Sequence, residues 1–175
     1  YIDEFELTKA LVDGAYDNNK VIVEQVSAVT DESSAKAFVK KIRALYTKMK
    51  LPSTEYNAYS KFSGAKGTIK TWTEEDRFVF LTTADVMATV DVDVLARAFN
   101  MDKTDFIGRV IEVDAFENSE ILGILCDESW FQIYENVMRF DEFYNARVMA
   151  WNEYLHVWQT YAICPFSNAV ILATA

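Results

Sequence analysis

The sequence predicts a mixed α+β fold, and three observations carry that prediction. Apolar residues recur at three- and four-residue spacing between Ala35 and Met49, which is the period of one helix face. Short β-branched and aromatic runs lie on either side of that stretch, and the longest sits near the end of the chain. Helical and strand signals are interspersed along the chain, so the elements share one architecture and are not segregated into halves.

In the first segment, Ile2, Phe5, Leu11, Val12, Ala15 and Tyr16 form an apolar stripe, and Asp3, Glu4 and Glu6 complement the positive end of a helix. This helix is expected to be running already before Tyr1 and to stop near Asp17. Residues 21–29 are rich in valine and read as a strand. The next helix starts at a cap on Thr30 or Asp31 and buries Ala35, Phe38, Val39, Ile42, Leu45, Tyr46 and Met49, with Pro52 ending it. Its opposite face carries Lys36, Lys40, Lys41, Arg43, Lys48 and Lys50. Such a stripe is ordinarily a solvated face, and the sharper alternative is a contact for an acidic surface on a neighbouring copy. Residues 53–70, with Gly64 and Gly67 among tyrosines and serines, read as a loop.

Residues 77–83 read as a buried strand, with Phe78, Val79, Phe80 and Leu81 in an unbroken apolar run. Asp91 or Asp93 is expected to cap a helix whose buried edge is Leu95, Ala98 and Phe99, and residues 102–106 to restart a helical turn ending at Gly108. Residues 109–115, 121–126 and 130–134 are three more strands. In the aromatic final quarter, Met149, Trp151, Leu155, Val157 and Tyr161 alternate onto one strand face, while Tyr154, His156 and Trp158 occupy the other. Large side chains on both faces require cover on both faces. The simpler expectation is cover within the chain, and the alternative is another subunit. Pro165 breaks the ladder, and residues 169–173 read as a closing strand.

At 175 residues and 51% hydrophobic, the chain can bury a core as about one domain. No apolar run approaches the ~18 residues of a membrane-spanning helix. The net charge of −10 argues against a nucleic-acid reader, which needs Lys and Arg to neutralise phosphates. An acidic wall suits a container whose contents must not stick to it. Cys126 and Cys164 lack CxxC spacing and are expected as reduced, buried thiols in a cytosolic setting. The start at Tyr1, without methionine and within helical pattern, suggests a piece of something longer.

Catalytic signals are scarce. His156 is the single histidine and is expected to be packed or hydrogen-bonded in its strand. Asp91 and Asp93 form a DxD pair better read as helix capping than as a cation site. No glycine-rich phosphate loop and no GxSxG elbow occurs. Neither catalytic residues, a metal nor a cofactor is expected. A small-ligand enzyme would require Asp91, Asp93 and His156 to converge on a pocket.

The run from Asp91 to Met101, continuing in Thr104-Asp105-Phe106 and Gly108, resembles the major head proteins of tailed bacteriophages, nearest to the small phi-twenty-nine-like podophages. The likeness extends through Trp130-Phe131, Tyr134, Trp151-Asn152, Tyr154, His156 to Thr160, Phe166 and Asn168-Ala169-Val170. It reaches back to Leu11-Val12-Asp13 and to Phe38 through Lys41 with Arg43. The resemblance implies the Hong Kong ninety-seven type capsid fold, an axial domain inserted in a peripheral domain built on a spine helix and long strands. It assigns residues 1–30 and 124–175 to the peripheral domain and 31–123 to the axial domain. The family's N-terminal arm and extended loop would precede Tyr1. Its implied role is a virion shell subunit of a phage or prophage, assembled in the bacterial cytoplasm as hexamers and pentamers. Scaffolding and portal proteins would be partners, packaged DNA a non-specific neighbour, and no membrane is involved. An encapsulin-like compartment shell is the alternative on the same fold. The candidate subunit-interface residues are Lys36, Lys40, Lys41, Arg43, Tyr56, Tyr59, Lys61, Tyr154 and Trp158.

Overall fold

Runs of apolar residues without polar alternation make strands that must be covered on both faces, and two of these build the centre of the molecule. They are β4 (Ile121–Asp127) and β7 (Ala169–Thr174). The structure is a computed structural model and describes residues 4–90 and 110–174, with side chains from residue 7 onward. The central sheet has five strands in the order β1 (Ile22–Val26), β7, β4, β2 (Phe78–Thr83), β3 (Val110–Val113). The outer pairs β1/β7 and β2/β3 are parallel, while β4 runs antiparallel to both β7 and β2.

Helix α2 (Glu32–Met49) covers one face of this sheet and α1 (Glu4–Asp17) the other. The two-residue period sorts the side chains. Phe78, Phe80, Leu125, Val170 and Leu172 meet Phe38, Ile42, Leu45 and Met49 of α2. Leu81, Ile124, Cys126 and Ile171 meet Val12 and Ala15 of α1. Burial pushes the Cys126 thiol far up, so it packs as a small hydrophobe. Cys164 is only half-buried, and both thiols are free.

Every residue expected on the inner face of α2 is buried there. The Ser34 hydroxyl closes its first turn by accepting from the Asp31 N–H at 2.9 Å. The strand expected over 21–29 is confined to β1, and a short helix, α3 (Ala84–Thr89), follows β2 where none was anticipated. The helix and turn expected over 91–106 lie outside the described residues.

The loop of residues 53–70 is fastened at both ends. Ser53 and Thr71 exchange backbone hydrogen bonds of 3.0 and 2.9 Å, and a polar cluster lies beneath them. Asn168, almost fully buried, donates through Nδ2 to the Met49 carbonyl (3.3 Å) and to Thr73 Oγ1 (3.1 Å), while its Oδ1 accepts from Thr71 Oγ1. Asn57 Nδ2 donates to the Ile69 carbonyl (2.9 Å) and to Thr71 Oγ1 (3.1 Å). The C-terminal end of α2, the loop and the entry to β7 therefore share one hydrogen-bonded junction.

Gly123 is where β4 passes closest to its neighbour. A Cβ placed there would lie 2.6 Å from the Leu81 carbonyl oxygen and 3.3 Å from the Thr82 Cα, both backbone atoms that cannot swing aside. Gly123→Ala is expected to lower stability by about 1–3 kcal/mol, read as a shift in the urea midpoint at unchanged slope.

Candidate assembly interface

The strand expected over residues 130–134 continues far beyond it. β5 (Phe131–Asn145) pairs with β6 (Ala150–Ile163) as a two-stranded antiparallel ribbon in register from Phe131↔Ile163 to Asn145↔Ala150, with a bulge between Glu135 and Val137. Its base is rigid. Trp130 is buried, its carbonyl accepts from the Cys164 N–H at 2.9 Å, and the Ser129 and Ser167 hydroxyls meet at 2.7 Å. Asp127 accepts from the Ser129 N–H (2.9 Å) and pairs with Arg77 (3.1 Å). At the tip, Asn145 Oδ1 accepts from the Arg147 N–H, and Met149 takes a left-handed φ of 52° to close the turn.

The expectation that this strand is covered within its own chain is overturned. Of the large apolar side chains left exposed among the described residues, only Val23, Leu51, Trp72 and Phe166 lie off the ribbon. Trp151 and Trp158 are each 66% exposed and Met138 69%. At its base the ribbon packs against the α1-side core through Phe131 and Ile163, and along most of its length, from Ile133 to Trp158, its large apolar side chains stand exposed. Among the described residues no third layer lies over this stretch, and the exposure follows from that.

The register sorts the two faces. One carries Val137 opposite Trp158, Arg139 opposite His156, Asp141 opposite Tyr154 and Phe143 opposite Asn152. There Arg139 Nε donates to Asp141 Oδ1 at 2.7 Å, and the rings of Tyr154 and His156 stack. The other carries Met138 opposite Val157, Phe140 opposite Leu155, Glu142 opposite Glu153, and Tyr144 opposite Trp151 with ring centroids 5.2 Å apart. His156, expected to be packed or hydrogen-bonded in its strand, is exposed, with its ring on Tyr154 and its Nε2 3.6 Å from Asp141. Asp91 and Asp93 lie outside the described residues. Among the described residues no three His, Cys, Asp or Glu side chains gather as a metal site.

The candidate interface residues separate into three groups. Tyr154 and Trp158 stand exposed on one ribbon face. On the outer face of α2, Lys36 pairs with Glu32 (2.6 Å), and Lys41 turns inward to Glu24 (3.0 Å) and the Gln25 carbonyl. Lys40 and Arg43 have no ion-pair partner among the described residues, and neither does Lys48. Tyr56, Tyr59 and Lys61 are committed within the chain. Tyr56 is buried against α2, which pushes its phenol pKa up. Tyr59 stacks on Phe166 with centroids 5.4 Å apart. Lys61 donates to Asn19 Oδ1 (2.8 Å) and the Val21 carbonyl (2.7 Å), and burial lowers its pKa. A loop rich in polar residues reads as exposed, yet here it reaches back to the α1–β1 turn. The candidate interface residues omit Ile133, Met138, Phe140, Phe143 and Tyr144 of β5, although Ile133 lies in the strand expected over 130–134. The signal available for them was aromatic alternation on both sides of Asn136.

Residues 1–173 match the sequence family described as Phi29-like phage major capsid protein. The major capsid protein of Bacillus phage GA-1 is 38% identical over 97% of this chain and 35% of its own length. That of Bacillus phage PZA is 36% identical over 97% of this chain and 37% of its own length. The chain therefore spans a little over a third of these relatives. In solved structures, the fold resembles a chain of the Staphylococcus phage Andhra capsid (TM-score 0.72, 15% identity), covering 95% of this chain and 58% of that one. It also resembles a chain from a structure of the head fiber and inner core protein gp22 of bacteriophage P68, with TM-score 0.64 and 15% identity over 97% of this chain and 59% of that one. The expected mixed α+β capsid fold is thus the observed one, and with a match along nearly its whole length the chain belongs to the Phi29-like phage major capsid protein family.

Proposed function

We propose that this chain is the folded core of a major capsid subunit, a structural protein without catalytic activity that tiles with copies of itself as hexamers and pentamers into an icosahedral shell around double-stranded DNA. The observation that carries the reading is the ribbon, a protruding pair of strands of 15 and 14 residues with large apolar side chains exposed on both faces. A chain working alone would be expected to aggregate through such a surface. In a shell, symmetric neighbours bury it, and many modest contacts around closed rings become stable together. The net charge of −10 suits a wall that DNA touches without binding. Scaffolding and portal proteins are the remaining partners, and the virion, assembled in the host cytoplasm, is the location.

The division into an axial domain (31–123) and a peripheral one (1–30 and 124–175) is best drawn around the ribbon. β1, β4 and β7 share one sheet with β2 and β3, which supports an axial lobe built on that sheet and peripheral strands formed by residues 131–163. The test is assembly of the protein at its natural length. Closed particles in the electron microscope are expected, and a species that stays monomeric at every concentration would contradict the proposal.

A further inference from the structure

Resting on the shell reading, we propose that the ribbon face bearing Glu142 and Glu153 docks on the outward stripe of α2 in a second copy, with Lys40 and Arg43 seated at the carboxylate pair. Glu142 and Glu153 stand directly opposite one another in the ladder, and neither makes an ion pair among the described residues. Like charges directly opposed on adjacent strands weaken their own pairing. Met138, Phe140, Leu155 and Val157 continue the same face on one side of the pair, and Tyr144 and Trp151 on the other. The surface that covers this face therefore has to combine apolar contact with positive charge at its centre.

The α2 stripe has that composition. Ala37, Lys40, Ala44 and Leu51 follow one another at three-, four- and seven-residue spacing, so they line one side of the helix and its immediate extension, and all are exposed. The two alanines allow a sheet face to approach closely, and the aliphatic stems of Lys40 and Arg43 can lie along Phe140 and Leu155 while their charged ends reach the carboxylates. A guanidinium can hold two carboxylate oxygens at once, which makes Arg43 the stronger anchor. Of the other lysines on α2 and its end, Lys36 is engaged by Glu32, Lys41 by Glu24 and Lys50 by Glu75, while Lys48 stands unpaired among the described residues two turns beyond Lys40. Lys40 and Arg43 are left with charge to offer on a chain of net charge −10.

The test is charge exchange in the protein at its natural length, read as particle yield. Glu142→Lys with Glu153→Lys, and separately Lys40→Glu with Arg43→Glu, are each expected to lower the yield by about tenfold or more. All four substitutions together are expected to recover most of it. Unchanged yield in either double variant, or loss in both without recovery in the combination, would overturn the docking. As a second readout that tolerates altered folding of the charge variants, a Lys40→Cys chain mixed with a Glu153→Cys chain should form a disulfide between copies under mild oxidation. Its absence in otherwise intact particles would overturn the proposal as well. If the unmodified protein forms no particles, it is the shell reading that fails; particles indifferent to these exchanges sink this inference alone.

Discussion

A chain in which residues 134–160 are replaced by a two-residue Asn-Gly turn is expected to remain folded and to lose assembly altogether. The fold should survive because the two cores lie on the faces of the five-stranded sheet, and from the ribbon they take only Phe131 and Ile163, which the replacement keeps. Asn-Gly supplies the left-handed backbone that a tight hairpin requires. The melting temperature should stay within about 5 °C of the parent, since little buried area is removed. Assembly should vanish because the excised segment carries most of the large apolar side chains exposed among the described residues, and each one buried between copies is worth about 1.5–3 kcal/mol. Sedimentation at increasing concentration separates the outcomes: a monomer throughout is the expected result, and particles formed without the ribbon would place the interface elsewhere.

Asn168→Leu is expected to be the most damaging single substitution at the polar junction, costing about 3 kcal/mol of stability. Leucine has asparagine's branching but offers no hydrogen bond to the Met49 carbonyl, the Thr71 hydroxyl or the Thr73 hydroxyl, all beside a side chain that is 1% exposed. The Met49 carbonyl keeps the Thr73 N–H and the Thr71 oxygen keeps Asn57 Nδ2, so the uncompensated loss falls on the Thr71 hydroxyl hydrogen and the buried Thr73 hydroxyl. Because the junction joins the end of α2 to β7 and to the loop of residues 53–70, the loop should loosen first. Faster amide exchange at Thr71 and Thr73, together with a lowered urea midpoint, would register the effect; an unchanged midpoint would show that the junction adds little.

Much of the body was legible in the sequence because burial and period coincide there. The inner face of α2 could be read residue by residue, since large apolar side chains repeating every three or four positions line up on a helix and scatter over both faces of a strand. The strands at 77–83, 121–126 and 169–173 announced themselves through apolar runs such as Phe78 to Leu81. β5 was mostly missed. Glu135, Asn136, Arg139, Asp141 and Glu142 interrupt its apolar pattern, and the bulge next to Asn136 shifts the alternation by one residue partway along. The two-faced aromatic pattern of β6 was visible, but a pattern states only that a face needs cover, not which molecule supplies it. Tyr56 and Lys61 illustrate the reverse. A loop of serines, glycines and tyrosines looks exposed, and only the fold shows Lys61 donating to the Val21 carbonyl and Tyr56 lying beneath α2.

The measurement closest to the central claim is side-chain footprinting of Met138, Trp151 and Trp158 in the unassembled subunit and in intact particles. Strong labelling of all three before assembly and protection of all three afterwards is the expected result. Equal labelling in the two states would contradict the account, because the ribbon's exposed faces would then have no part in holding one copy to the next.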